Sequence, residues 1–590
     1  MILQALAEHY DVLVKQTTTQ TTQRQIAPRG WTYAKISFAL CIDDDGELER
    51  VESTRTGQTQ EKKTVMAPRL MSLPAPVKRS SGIASNFLWD NSSYLLGVDD
   101  KGKPQRSLDC FNACKALHHQ LLDDVDSPAA RALLAFFDRW EPARAAEHPA
   151  LQEDWDELIT AANLVFRYNG GYVHDDPLVR QAWQNHYGAA GDSLRMVCLV
   201  TGEKGPVEAV HPAIKGVAGG QSSGTALVSF NAPAFCSYGR EQSLNAPVSK
   251  QAAFAYTAAL NYMIADRAHA RHLGDTTVLF WARSGQAAFQ DFFSAFAFGG
   301  DTPYDEGALA HMLESLLQGD AVQYDQTLLD PDMDFYILGL SPNAARLSVR
   351  FFLRSSFGGF LANIRQHHDR LNIIRPSFDK RETISLKDLL DATVNQHSRD
   401  KAPSSVMTGE VMRAILADTR YPASLLNGVT LRIRAEHEVD RTRAAILKAY
   451  YLKNSHSDVP KEVLTVSLNP NCDTPAYVLG RLFSVYEAIQ TKANPGINAT
   501  IKDKYFNTAA STPATIFPIL GNLAQKHLKK LKGGNLGLCI TFEKQLAEIM
   551  ALLGAGLPAR MSLPQQGAFQ LGYYHQTQYR YLKKEDKEND

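Results

Sequence analysis

The sequence predicts an α+β fold: a mixed α/β N-terminal region with a strand-and-loop core, then an all-α helical bundle. Two patterns predict it. Up to about residue 380, short apolar runs such as "TTVLFWA" and "DFYILGLSPNAARLSVRFFL" read as strands between helical segments. After about residue 400 the strand signals fade, 3.6-residue periodicity takes over, and the linkers shorten as they do in bundles. The 590 residues, 44% of them hydrophobic, suffice for sizeable cores and suggest roughly two to four domains. The expected division is a mixed domain over 1–400, a helical bundle over 401–582, and a charged tail, "KKEDKEND", over 583–590 with little reason to order.

The elements follow in order. "MILQALAEHYDVLV" places Ile2, Leu3, Leu6, Tyr10 and Leu13 on one helical face, and the polar Gln/Thr stretch over 16–25 reads as an exposed loop. "WTYAKISFALCI" reads as a strand, with "DDDG" turning the chain into "ELERVES". Residues 53–82 are poor in large hydrophobics and rich in Pro, Thr, Lys and Arg, the composition of a long loop. Residues 107–185 read as largely helical and 194–250 as strand and loop, followed by an Ala-rich helix, "SKQAAFAYTAALNYMIADRAHARH". Beyond residue 400, "GEVMRAILADTR", "RTRAAILKAYYLK", "PAYVLGRLFSVYEAIQTKA", "TPATIFPILGNLAQKHLKKL" and "TFEKQLAEIMALL" are helical. In the third, Val478, Leu482, Val485 and Ile489 share a face. No repeat of 20 to 50 residues is present.

Net charge is −1, from 62 basic and 63 acidic residues, so composition alone does not announce a nucleic-acid binder. The charge is uneven: residues 401–590 hold 24 Lys/Arg against 16 Asp/Glu, a local balance of +8. Seven cysteines, an odd number in a long chain, fit buried thiols in a reducing cytoplasm. The N-terminus lacks the basic start of a signal peptide, and no apolar run approaches the ~20 residues of a membrane span.

"KGVAGGQSSGTALVSFN", residues 215–231, resembles a phosphate cradle at first sight. Gly219 and Gly224 have P-loop separation, but Thr225 stands where the Lys is required. "TALVSFN" also reads as a strand, whereas a P-loop opens a helix. Two readings remain: a glycine-rich loop before a buried strand, and a loop whose bare backbone lets a nucleic-acid backbone approach.

Other clusters invite an enzyme reading. His368-Asp369 in "RQHHDR" is the dyad of HD-type metal phosphohydrolases, and a metal-dependent nuclease or phosphohydrolase of that type is the alternative function. Cys110, Cys114 and His118 stand at i, i+4 and i+8 on one helical face, where burial is the expected role. Asp43 lacks the remaining positions of a calcium loop, and Asp332 and Asp334 read as a turn into a strand. The chain has no G-x-S-x-G and no H-E-x-x-H.

The run "CLVTGEKGPVEAVHPAIKGVAGGQSSGTALVSFNAPAFCSYGREQSLNAPVSKQAAFAYTAALNYM" closely resembles the large subunit of the type I-C CRISPR surveillance complex, Cascade. "MILQAL", "NFLWDNSSYLLG", "FYILGLSPNAARLSVRFF", and "AYVLGRLFSVYEAIQ" through "YFNTAASTPATIFPIL" resemble it too, in the same order over nearly the whole chain. The resemblance implies a non-catalytic subunit that uses no cofactor. It implies a place beside the 5′ handle of the guide RNA (crRNA), reading of a short protospacer-adjacent motif, often 5′-TTC, in double-stranded target DNA, help in opening the strands into an R-loop, and recruitment of a separate helicase–nuclease in antiviral defence. The other implied partners are the Cascade backbone and handle-processing subunits and small subunits made from the same gene. The mixed domain over 1–400 would carry the motif DNA and the guide handle.

Guide-directed systems leave most sequence reading to base pairing, so the protein needs a few polar side chains on loops backed by cations. The glycine loop offers Lys215, Gln221, Ser222 and Ser223. "FNAPAFCSYGREQSLNAPVSK" offers Asn231, Ser237, Tyr238, Arg240, Gln242, Asn245 and Lys250, in which Asn and Gln suit adenine edges and Lys and Arg suit guanine. In "PVKRSSG", Lys78 and Arg79 beside Ser80 are expected to enter a groove or clamp a phosphate. Arg432, Arg434, Arg441, Arg443 and Lys448 form one basic group, and Lys526, Lys529, Lys530 and Lys532 another, suited to the displaced DNA strand. Finally, Lys-Glu-Val in "PKEVLTVSLNP" can be encoded as a ribosome-binding site with Val466 as a start a few codons on, giving a small-subunit product of 466–590.

Overall fold

The computed structural model describes residues 1–19, 26–60, 63–77, 79, 82–160, 162–188, 194–266, 269–299, 304–399, 401–454, 458–554 and 556–582. Lys78, Ser80 and the tail 583–590 lie outside the described residues. The chain divides into two units, Met1–Pro212 with Val228–Leu260 and Ala213–Leu227 with Asn261–Asp590.

The first unit opens with α1 (Ile2–Thr19), which continues past the expected end of the helix and buries Leu6, Tyr10 and Leu13. Its strands are β1 (Trp31–Ile36), β2 (Phe38–Ile42), β3 (Leu48–Ser53), β4 (Thr56–Gln60), β5 (Lys63–Ala67), β6 (Arg69–Pro74), β7 (Trp89–Asn91), β8 (Asn163–Tyr168), β9 (Gly171–Tyr172), β10 (Arg195–Val197) and β11 (Lys204–Pro206). The main sheet has the order β3-β2-β8-β7, with β9 added to β8. β2 and β8 pair in parallel at its centre, and all five residues of β2 are buried, as a strand covered on both faces requires. The β2–β3 turn is built by Asp43, whose Oδ1 accepts the N–H groups of Asp45 (3.0 Å) and Glu47 (2.8 Å). Gly46 closes it at φ +81°, where a Cβ would lie 2.2 Å from the Phe136 nitrogen.

Two expectations change here. Residues 53–82 hold a β4–β5 hairpin and β6, which pairs with β1 along its whole length, from Trp31↔Pro74 to Ile36↔Arg69. Met71, Leu73 and Pro74 of β6 are buried while Leu70 is exposed, so its apolar signal is too brief to stand out. The helical stretch 107–185 contains α3 (Pro104–Leu122), α4 (Pro128–Arg139), α5 (Trp155–Ile159) and α6 (Pro177–Gly188), but "NLVFRY" between α5 and α6 is the central strand β8. The short α2 (Ser92–Leu95) packs on α3, and the unit boundary falls inside α7 (Lys250–Ile264), which stops before the strand that ends its expected span.

In the second unit, β12 (Ala270–Leu273), β13 (Thr276–Ala282), β16 (Asp334–Asn343) and β17 (Arg346–Ser356) form an antiparallel sheet in that order, with β14 (Val322–Tyr324) and β15 (Thr327–Leu329) as a separate hairpin. A bulge at Gly339/Leu340 shifts the β16–β17 register, and the bare Gly339 backbone admits the Phe351 ring, which a Cβ would approach to 2.6 Å. The strand expected at 225–231 does not form. Thr225 and Ala226 make isolated bridges to Ile214 and Arg346, and the half-buried residues after them have no ladder partner.

Helices α8 (Ala287–Phe298), α9 (Glu306–Gln318), α10 (Phe357–Leu371), α11 (Leu386–Asp391), α12 (Ser405–Leu416), α13 (Ala423–Glu436) and α14 (Arg441–Asn454) pack on the sheet and on one another. They lead into α15 (Pro475–Ala493), α16 (Ile501–Ser511), α17 (Pro513–Gly534), α18 (Leu536–Ala551) and α19 (Leu563–Tyr579). One hydrophobic core runs from Val278 in the sheet to Tyr574 in α19, crossing residue 400 without a break.

Helix α15 is the axis of the bundle. It touches α16, α17 and α18 and lies closest to α19. Where α15 and α19 cross, each presents a glycine. A Cβ on Gly480 would lie 2.0 Å from the Phe569 carbonyl oxygen, and one on Gly572 would lie 2.1 Å from that of Tyr477. Backbone sits on backbone, and no side chain can move aside to make room. The Gly480→Ala variant is therefore expected to lose about 3 kcal/mol in chemical denaturation, the upper range for overpacking. Gly521→Ala in α17 is the control. Its Cβ would meet only the Tyr486 hydroxyl, at 3.6 Å, so the helix-propensity gain of up to about 1 kcal/mol should leave stability equal or higher.

Candidate nucleic-acid interface

The glycine loop belongs to the second unit. Ile214 and Thr225 exchange both backbone hydrogen bonds at 2.8 Å, closing its neck. The Lys215 N–H donates to Asn261 Oδ1 (2.8 Å) and the Ala218 N–H to Thr277 Oγ1 (3.2 Å). Inside the loop, Gly220 N–H donates to Val217 and Gly224 N–H to Gln221. Gly216, Gly219 and Gly224 all have positive φ, and a Cβ on Gly224 would approach that of Ala213 to 2.8 Å. These N–H groups are spent inside the protein, so they form no phosphate cradle. The pinned loop exposes Lys215, Gln221, Ser222 and Ser223.

The 231–250 loop belongs to the first unit. Asn245 staples it: its Oδ1 accepts the Ser237 N–H (2.8 Å), and its Nδ2 donates to the carbonyls of Arg240 (3.0 Å) and Gln242 (2.9 Å). Its amide is thus committed to the loop, which corrects the expectation that it reads a base. The residues between these anchors point outward. Tyr238 is 98% exposed, and Ser237, Arg240 and Gln242 are exposed beside it. Tyr238 and Gln242 both have positive φ, uncommon for residues with side chains, and the Asn245 bonds hold them there. Asn231 is exposed and engaged, while Lys250 is half-buried at the first turn of α7. The loop's base rests on Cys198, whose Sγ accepts the Ser249 N–H at 3.2 Å. Burial pushes that thiol up, but hydrogen bonds from Ser249 and Thr201 outweigh it and bring it down to about 7.

Arg79 has a different role from the one expected. Its guanidinium grips both oxygens of Asp90, its Nε donates to the Ala84 carbonyl (2.6 Å), and it lies over the Tyr94 ring, 4.0 Å from the centroid. Asp90 is buried and also accepts the N–H groups of Asn86 (3.0 Å) and Asn91 (2.9 Å). The pair fastens the segment before β7 to the fold, and the phosphate-clamp reading of Arg79 is withdrawn.

The first basic group of the C-terminal half also turns inward. Arg441 bonds Asp379 (3.0 Å) and the carbonyls of Arg381 (2.6 Å) and Glu382 (2.8 Å). Arg443 pairs with Glu436 and donates to the Glu438 carbonyl (3.1 Å). Lys448 Nζ donates to the carbonyls of Arg370 (3.1 Å) and Asn372 (2.7 Å), and burial lowers its pKa to about 8. All three are buried, so the displaced-strand assignment does not hold for them. Arg432 pairs with Glu436 (3.4 Å), and exposed Arg434 donates to Gln566 (2.7 Å). Lys526, Lys529, Lys530 and Lys532 are exposed on α17, which carries no acidic residue; of these, Lys530 donates to Asn494 (2.8 Å).

The metal candidates are structural. His118 is buried, with Nδ1 donating to the Cys114 carbonyl (2.8 Å) and Nε2 accepting the Leu88 N–H (2.9 Å), so both ring nitrogens are used. Burial lowers its pKa to about 4, which keeps the ring neutral. Of the His368-Asp369 dyad, His368 is half-buried with its ring centroid 6.0 Å from that of Phe296, and Asp369 accepts from Arg365 (3.2 Å). Among the described residues no group of three His, Cys, Asp or Glu side chains could hold a metal. No helix there is long and apolar enough to cross a membrane.

The chain belongs to the CRISPR-associated protein family Cas_Csd1, the type I-C large subunit, whose family profile matches residues 6–581. A comparison with individually curated proteins finds no match.

The sequence did not reveal Asp90 as the claimant of Arg79 or Asp379 as that of Arg441, because each pair closes only in three dimensions. Arg79→Ala strands a buried carboxylate and is expected to cost about 3 kcal/mol in chemical denaturation. Arg240→Ala, on the exposed loop, should stay within about 0.5 kcal/mol of wild type.

Proposed function

We propose that this Cascade large subunit is non-catalytic, works in the cytoplasm, and reads the protospacer-adjacent motif in duplex DNA through its Asn245-stapled loop. The observation that carries the reading is the Asn245-stapled loop, which holds Tyr238, Arg240 and Gln242 in the open on a strained backbone. A loop ordered before binding loses little entropy on docking, and Arg and Gln are suited to base edges while Tyr offers a stacking face. The exposed Lys215, Gln221, Ser222 and Ser223 of the glycine loop are suited by themselves to contacts with a nucleic-acid backbone. The lysines of α17 suit the displaced strand, where contacts are to phosphates and tolerate any sequence. Contact with the crRNA 5′ handle, R-loop opening and recruitment of the helicase–nuclease complete the proposed role.

The test is duplex binding by guide-loaded complex, reconstituted with and without this chain, on targets carrying 5′-TTC or a scrambled triplet. Tight binding that needs both the chain and the triplet is the expected result. Equal binding to both targets would leave the chain an assembly subunit.

We also propose that an internal start at Val466 yields a small subunit spanning 466–590. In support, α15 to α19 all lie within that span, and α15 packs against each of the other four. Mass spectrometry of a C-terminally tagged expression should find this second product; a sole full-length chain counts against it.

A further inference from the structure

The turn between α10 and α11 has an unusual division between what holds it and what it shows. Ile374 is fixed on both sides: its N–H donates to the Val466 carbonyl (2.8 Å), and its carbonyl accepts the Tyr574 hydroxyl (2.7 Å). Asp379 N–H donates to the Pro376 carbonyl (2.9 Å), which closes the turn. From beneath, buried Arg441 makes its bonds to Asp379 and to the carbonyls of Arg381 and Glu382. Arg381 is itself committed, to Asp379 (3.2 Å) and Asp388 (3.2 Å).

On this fixed frame Phe378 is 85% exposed. A phenyl ring held in water by a pinned backbone stabilises nothing in the isolated chain. Arg375 and Lys380 flank it, both exposed, and neither side chain has an ion pair or hydrogen bond among the described residues. Glu382, also exposed, is the opposing carboxylate at the far end of the turn. An aromatic anchor for a protein partner sits among other apolar groups. The sequence neighbours of Phe378 are instead Ser377, Asp379 and Lys380, with Pro376 buried. A bare ring with free cations on either side is what an unpaired nucleotide requires: a face for the base and charge for the phosphates.

We infer that Phe378, Arg375 and Lys380 form a subsite for single-stranded nucleic acid, with the ring stacked on one unpaired base and the cations on adjoining phosphates. The inference rests on the nucleic-acid role proposed above and adds a site that recognises no sequence.

The experiment uses guide-loaded, target-bound complex in which a benzoylphenylalanine photoprobe replaces Phe378, with the guide, target strand and displaced strand labelled in separate samples. A crosslink to one of the three strands is expected. Phe378→Ala should weaken target binding roughly ten-fold, as the loss of one stacked base does, and Phe378→Trp should restore it. Because stacking tolerates sequence, the loss should be the same on 5′-TTC targets that carry different guide-matched sequences. The Arg375→Ala/Lys380→Ala double variant should reduce the slope of log affinity against log salt by about 1.4, the value for two single-strand phosphate contacts. Crosslinks only to a protein subunit, or unchanged binding by Phe378→Ala, would overturn the inference. Failure of the wild-type complex to distinguish the two targets would overturn motif reading instead, and would leave a crosslink to nucleic acid as support for this subsite.

Discussion

The second unit depends on the crossing of α15 and α19. Two helices approach to the point where the Gly480 position meets the Phe569 carbonyl and the Gly572 position meets that of Tyr477. Helix axes normally stand 8–10 Å apart because side chains intervene; here glycine removes them on both sides. The close approach brings Tyr477 to His575 (2.9 Å) and Arg481 to Gln576 (3.1 Å), and burial lowers the His575 pKa to about 3, so the ring is neutral. Around this pair α16, α17 and α18 find their places, and Tyr574 reaches out of α19 to anchor Ile374 at the start of the α10–α11 turn.

Cations that bond inside the protein, the exposed Arg79 and the buried Arg441, Arg443 and Lys448, form the second layer of organisation. Arg79, Arg441, Arg443 and Lys448 each bind acidic side chains or backbone carbonyls of segments distant from their own element or just beyond its end. A buried guanidinium serves this purpose well because its rigid fork satisfies several acceptors at once. Two of them fasten irregular segments. Arg79 secures the chain before β7, and Arg441 secures the turn that carries Phe378. Asp379 shows the strength of that second clamp: its burial raises the carboxyl pKa, yet the bonds from Arg381 and Arg441 bring it down to about 2.

The candidate contact loops follow the same logic on a smaller scale. Each is rigid at its base and polar at its tip. In the glycine loop the backbone N–H groups of Lys215, Ala218, Gly220 and Gly224 are taken up by Asn261, Thr277 and the loop itself. In the Tyr238 loop the side-chain amide of Asn245 does the same work. Ordering the backbone before a partner arrives reduces the entropy lost on binding, so modest contacts can still discriminate.

The sequence by itself determined the α+β class, the strands β13, β16 and β17, and the helices α12, α14, α15, α17 and α18. Those segments carry long periodic apolar patterns, and periodicity is a local property. It also determined the family, because the resemblance extends along nearly the whole chain. Tertiary structure decided the rest. β6 and β8 are strands because partners β1 and β2 lie beside them, and 225–231 is not one because no ladder partner does. Of the candidate site residues, the exposed Tyr238, Arg240, Gln242 and the α17 lysines were legible as polar or aromatic surface positions. Whether an arginine meets solvent or a buried carboxylate was not legible, since Arg79 and Arg240 look alike in sequence and differ only in the presence of Asp90. A charge is placed by its nearest partner in space, and only the folded chain decides which residue that is.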